Sequence, residues 1–260
     1  EAVMAILTAD HLIKNEESFR GLLRSAYEVA CEDFLVTLGI APTHPATGYG
    51  YIHQGENLGT YQGQEVYRVL EFTEKPALGQ AKKMIRAGDY AWNSGMFVWR
   101  VARILKEFAA QMPALFTRLE EIERAWGGKE STSVLQRVWP TITPETIDYG
   151  IMEGADRVAV IPAVGLGWSD VGSWDALFDV LVEDEDEKEN VILGGEHISL
   201  DSQGNLLHVA ENPRTVFTIG LENMIVVDTG DVLLICDKEQ SQRVREIVRD
   251  LRKNQREEYL

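Results

Sequence analysis

Two short runs, Val3-Met4-Ala5-Ile6-Leu7 and Phe34-Leu35-Val36-Thr37-Leu38, flank one helix-length segment, and this spacing constrains the fold more than any other feature. Runs without polar alternation read as strands covered on both faces. The segment between them is an amphipathic helix. Asn15 caps it, with Ser18 three residues on in place of the usual Glu, and Phe19, Leu22, Leu23, Ala26 and Ala30 form one apolar face. Strand, helix and strand at this distance make a βαβ unit and hence a parallel sheet. Ligands of such sheets bind at the carboxyl ends of the strands, which places Asp10 on the ligand side. A chain seldom begins inside its own core, so residues upstream of Glu1 are expected.

Gly39 to Gly50 is a loop with Pro42 and Pro45, and Gly48-Tyr49-Gly50-Tyr51 leads from loop to strand. Gln64 to Thr73 reads as a strand closed by Glu74-Lys75-Pro76, followed by a helix from about Ala77 that stops at Gly88. Trp92 to Trp99 gives a turn and a strand. Val101 to Val138 is helical, broken at Pro113 and Gly127-Gly128, and Pro144 starts a short helix through Glu153. Arg157 to Ile161 is a strand, and a helix runs from Ser173 to Val182. The acidic run Glu183 to Glu189 is a solvated linker, dividing an α/β domain (1–185) from a small β domain (190–260). The β domain has short strands near Val191, His197, Leu206, Val216, Ile225 and Leu233, closed by an amphipathic helix from about Lys238 to Lys253. It carries no chemistry and takes a structural or oligomer-contact role.

The net charge of -17 lacks the basic footprint of a nucleic-acid polymer binder. An acidic protein handling phosphates needs metal ions and a few placed cations. No apolar run is long enough to span a bilayer and no signal peptide is visible, so a cytoplasmic location without a membrane partner is expected. Cys31 and Cys236 lack metal-ligand spacing and read as reduced thiols.

The chemistry gathers in four places. Asp170 sits in Gly167-Trp168-Ser169-Asp170-Val171-Gly172-Ser173-Trp174, a carboxylate between glycines and indoles. With Asp10 it forms a candidate divalent-cation pair, against the alternative of a turn Asp and a helix-capping Asp. His11 reads as structural. Glu74 and Lys75 would point to opposite faces of a strand unless the proline bends the chain. They are a surface ion pair or, if bent together, a carboxylate for sugar hydroxyls beside a cation for phosphate. Asn93, beside Trp92, is a plain turn residue or an amide that grips a sugar. Asp148 and Glu153 lie five apart on a helix, so only one can face a site. The Gly-rich phosphate loop of nucleotide sites does not follow a suitable strand here.

Taken in order, Thr8-Ala9-Asp10-His11, Gly48-Tyr49-Gly50-Tyr51-Ile52, Glu74-Lys75-Pro76, Trp92-Asn93-Ser94-Gly95-Met96-Phe97, Ile147-Asp148-Tyr149-Gly150-Ile151-Met152-Glu153 and Trp168 to Trp174 resemble the sugar nucleotidyltransferases. The resemblance is nearest to the mannose-1-phosphate guanylyltransferase (GDP-mannose pyrophosphorylase) branch and covers essentially the whole chain. It implies a Rossmann-like nucleotidyltransferase domain with a mixed, mostly parallel sheet, its N-terminal part absent, then a small left-handed β-helix-like domain. It implies GTP and mannose 1-phosphate as substrates and GDP-mannose and pyrophosphate as products. By the matching motifs Asp10 and Asp170 would hold Mg²⁺, Glu74 and Asn93 would bind mannose, Lys75 its phosphate, and the Gly50 backbone would approach the sugar. Lys75, Asp10 and Asp170 would be the catalytic groups, and Asp148 a further substrate contact. The family's opening Gly-Gly-x-Gly-x-Arg loop and following Pro-Lys are not in this sequence, so the chain as given is expected to bind GTP poorly. No fused isomerase domain follows, which implies a single-function enzyme, with a homodimer as the form to test. A glucose-1-phosphate nucleotidyltransferase and a non-catalytic sugar-phosphate binder are the alternatives.

Overall fold

The computed structural model describes residues 2–182, 189–209 and 215–260. The chain forms two compact units, Glu1–Ala9 with Ile13–Trp168, and Asp10–Leu12 with Ser169–Leu260. The acidic run expected to separate the domains lies, at 183–188, outside the described residues.

The first unit contains strands β1 (Val3–Ile6), β2 (Leu12–Ile13, whose Ile13 belongs here), β3 (Leu35–Ile40), β4 (Tyr51–Tyr61), β5 (Gln64–Thr73), β6 (Tyr90–Arg100) and β7 (Val158–Pro162). Its helices are α1 (Glu16–Cys31), α2 (Leu78–Ala87), α3 (Val101–Gln111), α4 (Pro113–Ala125) and α5 (Ser131–Val138). Helix α1 starts where its sequence demands, with the Ser18 amide donating to Asn15 Oδ1 at 3.0 Å. Its face of Leu22, Ala26, Val29 and Ala30 packs on Val36, Leu38, Met96 and Ile161 of the sheet. The opposite sheet face carries Leu35, Phe97, Val158 and Val160 against Ile104 of α3 and Ile151 and Met152. All six residues of β3 are buried, as its composition requires.

The sheet order is β1-β6-β3-β7-β5-β4, and β4 also pairs β6. The sheet is mixed. Within it, parallel pairing is confined to β3–β7, and the other pairings are antiparallel. The unit β1–α1–β3 does run its two strands in one direction, but β6 lies between them and opposes both. In this chain β1 is the outermost strand of the sheet, and Met4 and Ile6 stand 36% and 40% exposed. An apolar run records side-chain polarity, not whether a second strand lies beside it.

Opposite Thr37 to Gly39 of β3, strand β6 spends the longer stretch from Phe97 back to Asn93. Residues 94–96 form the bulge, with Gly95 at φ +71. The turn expected at Asn93-Ser94-Gly95 is thus a bulge inside one long strand. The sequence reading placed the start of β4 at Tyr51 but not its length, because its middle, His53 to Thr60, is mostly polar.

The second unit begins within β8 (Trp168–Ser169) and contains α6 (Trp174–Leu181), strands β9 (Val191–Leu193), β10 (Glu196–Leu200), β11 (Leu206–Val209), β12 (Thr215–Ile219), β13 (Met224–Asp228) and β14 (Leu233–Asp237), and α7 (Val244–Lys253). Strands β9, β11 and β13 stack in parallel register, Val191 on Leu206 on Ile225, while β10 and β12 pair in parallel in a second sheet. This alternation of two parallel stacks is a β-helix. Buried Asn205 ties its turns together, its Nδ2 donating to Asn190 Oδ1 at 2.8 Å and its Oδ1 accepting from the Met224 amide at 2.8 Å. Phe178 of α6 seals the coil over Leu206, Ile225 and Val227.

Candidate functional site

Lys75 has a left-handed φ of +47 immediately before Pro76. That conformation breaks strand alternation, so Glu74 and Lys75 turn to the same side, and Lys75 Nζ donates to Glu74 Oε1 at 2.7 Å. The two side chains differ sharply in exposure, 11% for Glu74 and 57% for Lys75. The second Glu74 oxygen lies directly over Gly50. A Cβ on Gly50 would collide with that oxygen and stand 3.4 Å from the Asn93 Cβ. Glycine at this point makes room for the nearly buried Glu74 carboxylate beside Asn93, and the Asn93 N–H donates to the Gly50 carbonyl at 2.8 Å.

Asn93 lies at the mouth of the β6 bulge. Its Oδ1 accepts from the Gly95 amide at 3.1 Å, and its Nδ2 donates to Asp148 Oδ1 at 2.8 Å. Asp148 opens a π-helical turn, Asp148–Met152, in place of the plain helix expected there; the Glu153 amide bonds back to the Asp148 carbonyl. The turn buries Ile151 and Met152 in the core while presenting Asp148 to Asn93, and Glu153 is exposed. Gly50, Glu74, Lys75, Asn93 and Asp148 thus form one cluster in the first unit.

Charge is concentrated in this cluster. Burial, and then the Glu74 charge, pushes the Asp148 carboxyl above its ordinary value of 3.8, against hydrogen bonds from its own backbone and from Asn93 and the charge of Lys75. The hydrogen bond with Glu74 raises the Lys75 ammonium against the opposing effect of burial, and the charges of Glu74, Tyr149 and Asp148 add to the rise. The folded protein therefore holds the Asp148 proton more tightly than the unfolded chain. Stability from this group is full below pH 3.8 and falls as pH rises through the raised value. Asp148→Asn keeps an oxygen for Asn93 and removes the charge. Its melting temperature is expected to exceed wild type at pH 8, with the difference closing below pH 3.8, measured by thermal melts across pH.

Asp10 and Asp170 both belong to the second unit. Both charges act on the His11 imidazole and raise its pKa, but burial outweighs them and lowers it. The Gly172 amide donates to Asp170 Oδ1 at 3.2 Å, and a Cβ on Gly172 would stand 2.6 Å from Asp170 Oδ2. Between them Val171 takes φ +48, a conformation costing a β-branched residue about 1–3 kcal/mol. Such strain persists where surroundings hold a side chain in place, here the carboxylate of Asp170. Two carboxylates supply hard oxygen donors of the kind Mg²⁺ takes, one or two at a time, with waters and substrate phosphates completing the shell. Among the described residues no group of three or more His, Cys, Asp or Glu side chains could hold a metal by itself.

Two neighbours of the first cluster were not anticipated. Thr37 of β3 donates toward Asn93 Oδ1 at 3.1 Å, and Tyr149 acts on Lys75. A threonine in the middle of an apolar strand was the available signal for the first. No helix among the described residues is long and apolar enough to cross a membrane.

Fold and cluster place the chain among α/β proteins whose ligand site is built from strand ends and the loops that follow them. The nucleotidyl transferase family model matches residues 1–187, and that of the mannose-phosphate isomerase/GMP-like β-helix domain matches residues 195–251. The chain is 36% identical, over 260 residues, to a mannose-1-phosphate guanylyltransferase of Klebsiella pneumoniae, covering 100% of this chain and 54% of that protein. It is 35% identical to the mannose-1-phosphate guanylyltransferase RfbM of Salmonella typhimurium, covering 100% of this chain and 52% of that protein. A solved structure from Thermus thermophilus, described as a mannose-1-phosphate geranyltransferase, superimposes with a TM-score of 0.80 at 35% identity, covering 96% of this chain and 70% of that one. The chain spans about half the length of the curated relatives it matches. It belongs to the nucleotidyl transferase family and carries that family's domain followed by a β-helix domain.

Proposed function

We propose that the chain is the sugar-phosphate-binding part of a mannose-1-phosphate guanylyltransferase, which joins GTP and mannose 1-phosphate to give GDP-mannose and pyrophosphate. One observation carries the reading. Glu74 is nearly buried, its Oε1 holds Lys75, and its Oε2 packs over Gly50 close to Asn93. A carboxylate oxygen in this position can accept a hydrogen bond, and a sugar hydroxyl supplies the donor. Asn93 retains one N–H to give to a neighbouring hydroxyl, and half-exposed Lys75 offers a point cation for the phosphate. The relatives named above, mannose-1-phosphate guanylyltransferases, support mannose as the sugar.

In this reading a phosphate oxygen of mannose 1-phosphate attacks the α-phosphorus of GTP, and the bond to the β-phosphate breaks to release pyrophosphate. No covalent enzyme intermediate is needed, so the protein's part is alignment and charge neutralisation. Glu74 and Asn93 orient the sugar, and Lys75 offsets the charge of its phosphate. Asp10 and Asp170 would hold Mg²⁺, which supplies positive charge between phosphates when bound.

Calorimetric titration with mannose 1-phosphate, beside glucose 1-phosphate, tests the sugar site; pyrophosphate release with GTP tests the reaction. Mannose 1-phosphate should bind preferentially, and Gly50→Ala should weaken it by about tenfold or more, because Glu74 must vacate its position. Preference for glucose 1-phosphate would move the assignment to the glucose branch. Absence of binding to either would reject the sugar site.

A further inference from the structure

We propose that the β-helix holds the Asp170 turn in its strained shape, and that Asp175 and Ser241 are the positioning residues through which it does so. The inference rests on the reading of Asp170 as a cation ligand given above, and it concerns what aims that carboxylate.

The bonds inside the turn are local. Asp170 Oδ1 accepts from the Gly172 amide at 3.2 Å, and Ser169 Oγ accepts from the Val171 amide at 3.1 Å. Val171 keeps a left-handed φ of +48, which a β-branched residue holds only where its surroundings over-determine it. The chain then enters α6 at Trp174. Ser173, the N-cap of that helix, makes no side-chain capping bond. A helix start without a cap has unsatisfied amides and frays. A second anchor is needed on this side of the turn.

The β-helix supplies it. Trp174, the first residue of α6, packs against the core of Phe178, Leu206, Ile225 and Val227. Asp175, the second, accepts a hydrogen bond from the Ser241 hydroxyl. Ser241 lies in the short 3-10 helix Lys238–Arg243, which follows β14, and it is 3% exposed. That short helix is itself tied down. Its cap Asp237 accepts from the Glu239 amide at 2.7 Å, and the Lys238 amide donates to the Asn223 carbonyl at 2.8 Å. Lys238 also sets its ammonium 3.8 Å from the centre of the Phe178 ring. The 3-10 helix therefore meets α6 at Asp175 and Phe178, three positions apart on one face.

Apolar packing leaves a helix free to rotate and slide by small amounts, whereas a hydrogen bond to a carboxylate has direction. The Ser241 bond fixes the first turn of α6, and with it the direction in which the chain runs back to Gly172 and Asp170. A buried hydroxyl has a cost unless it is hydrogen-bonded. Here it is bonded to the first carboxylate after Asp170 in the chain.

The test combines amide hydrogen exchange of the metal-free, full-length protein with calorimetric Mn²⁺ titration in the presence of mannose 1-phosphate. Ser241→Ala removes the hydroxyl, and Asp175→Asn keeps a side-chain oxygen for it. In Ser241→Ala, exchange of the Val171 and Gly172 amides is expected to quicken about tenfold, while amides of β11 and β13 stay protected. The Kd for Mn²⁺ should rise about tenfold, and the Kd for mannose 1-phosphate without metal should not move. Asp175→Asn should stay near wild type in every measurement. A lower melting temperature with the Val171 and Gly172 amides and the Mn²⁺ affinity unmoved would mean that the bond only braces α6, and would overturn the proposal. If Ser241→Ala does not fold, Asp175→Ala cuts the same bond from the other side. If Asp170→Asn binds Mn²⁺ as wild type does, the cation reading fails, while exchange at Val171 and Gly172 still decides whether Ser241 holds the turn.

Discussion

Asp170→Asn is expected to lower kcat for pyrophosphate release by about 10²-fold or more while the protein still folds. The substitution keeps the side-chain shape and an oxygen for the Gly172 amide, which now bonds Asp170 Oδ1 at 3.2 Å, so the strained turn at Val171 retains its anchor. What disappears is one of the two negative charges flanking His11, and with it a hard anionic ligand for Mg²⁺. The loss should fall on kcat and on the Mg²⁺ concentration needed for half-maximal rate, with melting temperature near wild type. Turnover close to wild type at ordinary Mg²⁺ would sink the metal assignment of Asp170.

The second large effect is expected at Lys75. Lys75→Met keeps an unbranched stem of similar length and deletes the cation, and kcat/KM for mannose 1-phosphate should fall by about 10²-fold. The loss should be much smaller for binding of unphosphorylated mannose, because Glu74 and Asn93 still meet the hydroxyls. Stability should drop by only about 1 kcal/mol, since the Lys75–Glu74 pair is more than half exposed on the lysine side and solvent screens it. Equal losses for mannose and mannose 1-phosphate would mean Lys75 acts by holding Glu74 and not by meeting phosphate.

The cluster around Glu74 was partly legible because two of its members are neighbours in sequence. Glu74-Lys75-Pro76 announces a bent strand end, and the left-handed Lys75 makes the two side chains converge as that reading required. Helical spacing makes Asp148 and Glu153 diverge; the π turn that aims Asp148 at Asn93 depends on Ile151 and Met152 finding the core. The contact of Thr37 with Asn93 could not be read, because it depends on a bulge in a different strand. The place of β6 between β1 and β3 was hidden for a related reason. The apolar run of β1 and the strand-helix-strand spacing are local facts, whereas the insertion of β6 between β1 and β3 is a choice of partner made at long range.

By itself the sequence determined what depends on a few successive residues: the Asn15-capped helix, the buried strand β3, the breaks at Pro113 and Gly127-Gly128, the short-strand texture after Asn190, and motifs whose order defines the family. Capping, periodicity and backbone preference act within a turn or a strand and leave their mark on composition. Only the tertiary structure decided that Gly50, Glu74, Asn93 and Asp148 share one cluster, that the charges of Asp10 and Asp170 both act on His11, and that Thr37 bonds Asn93. Those contacts are set by strand register and by a bulge, which place side chains according to pairing across the sheet and not according to distance along the chain.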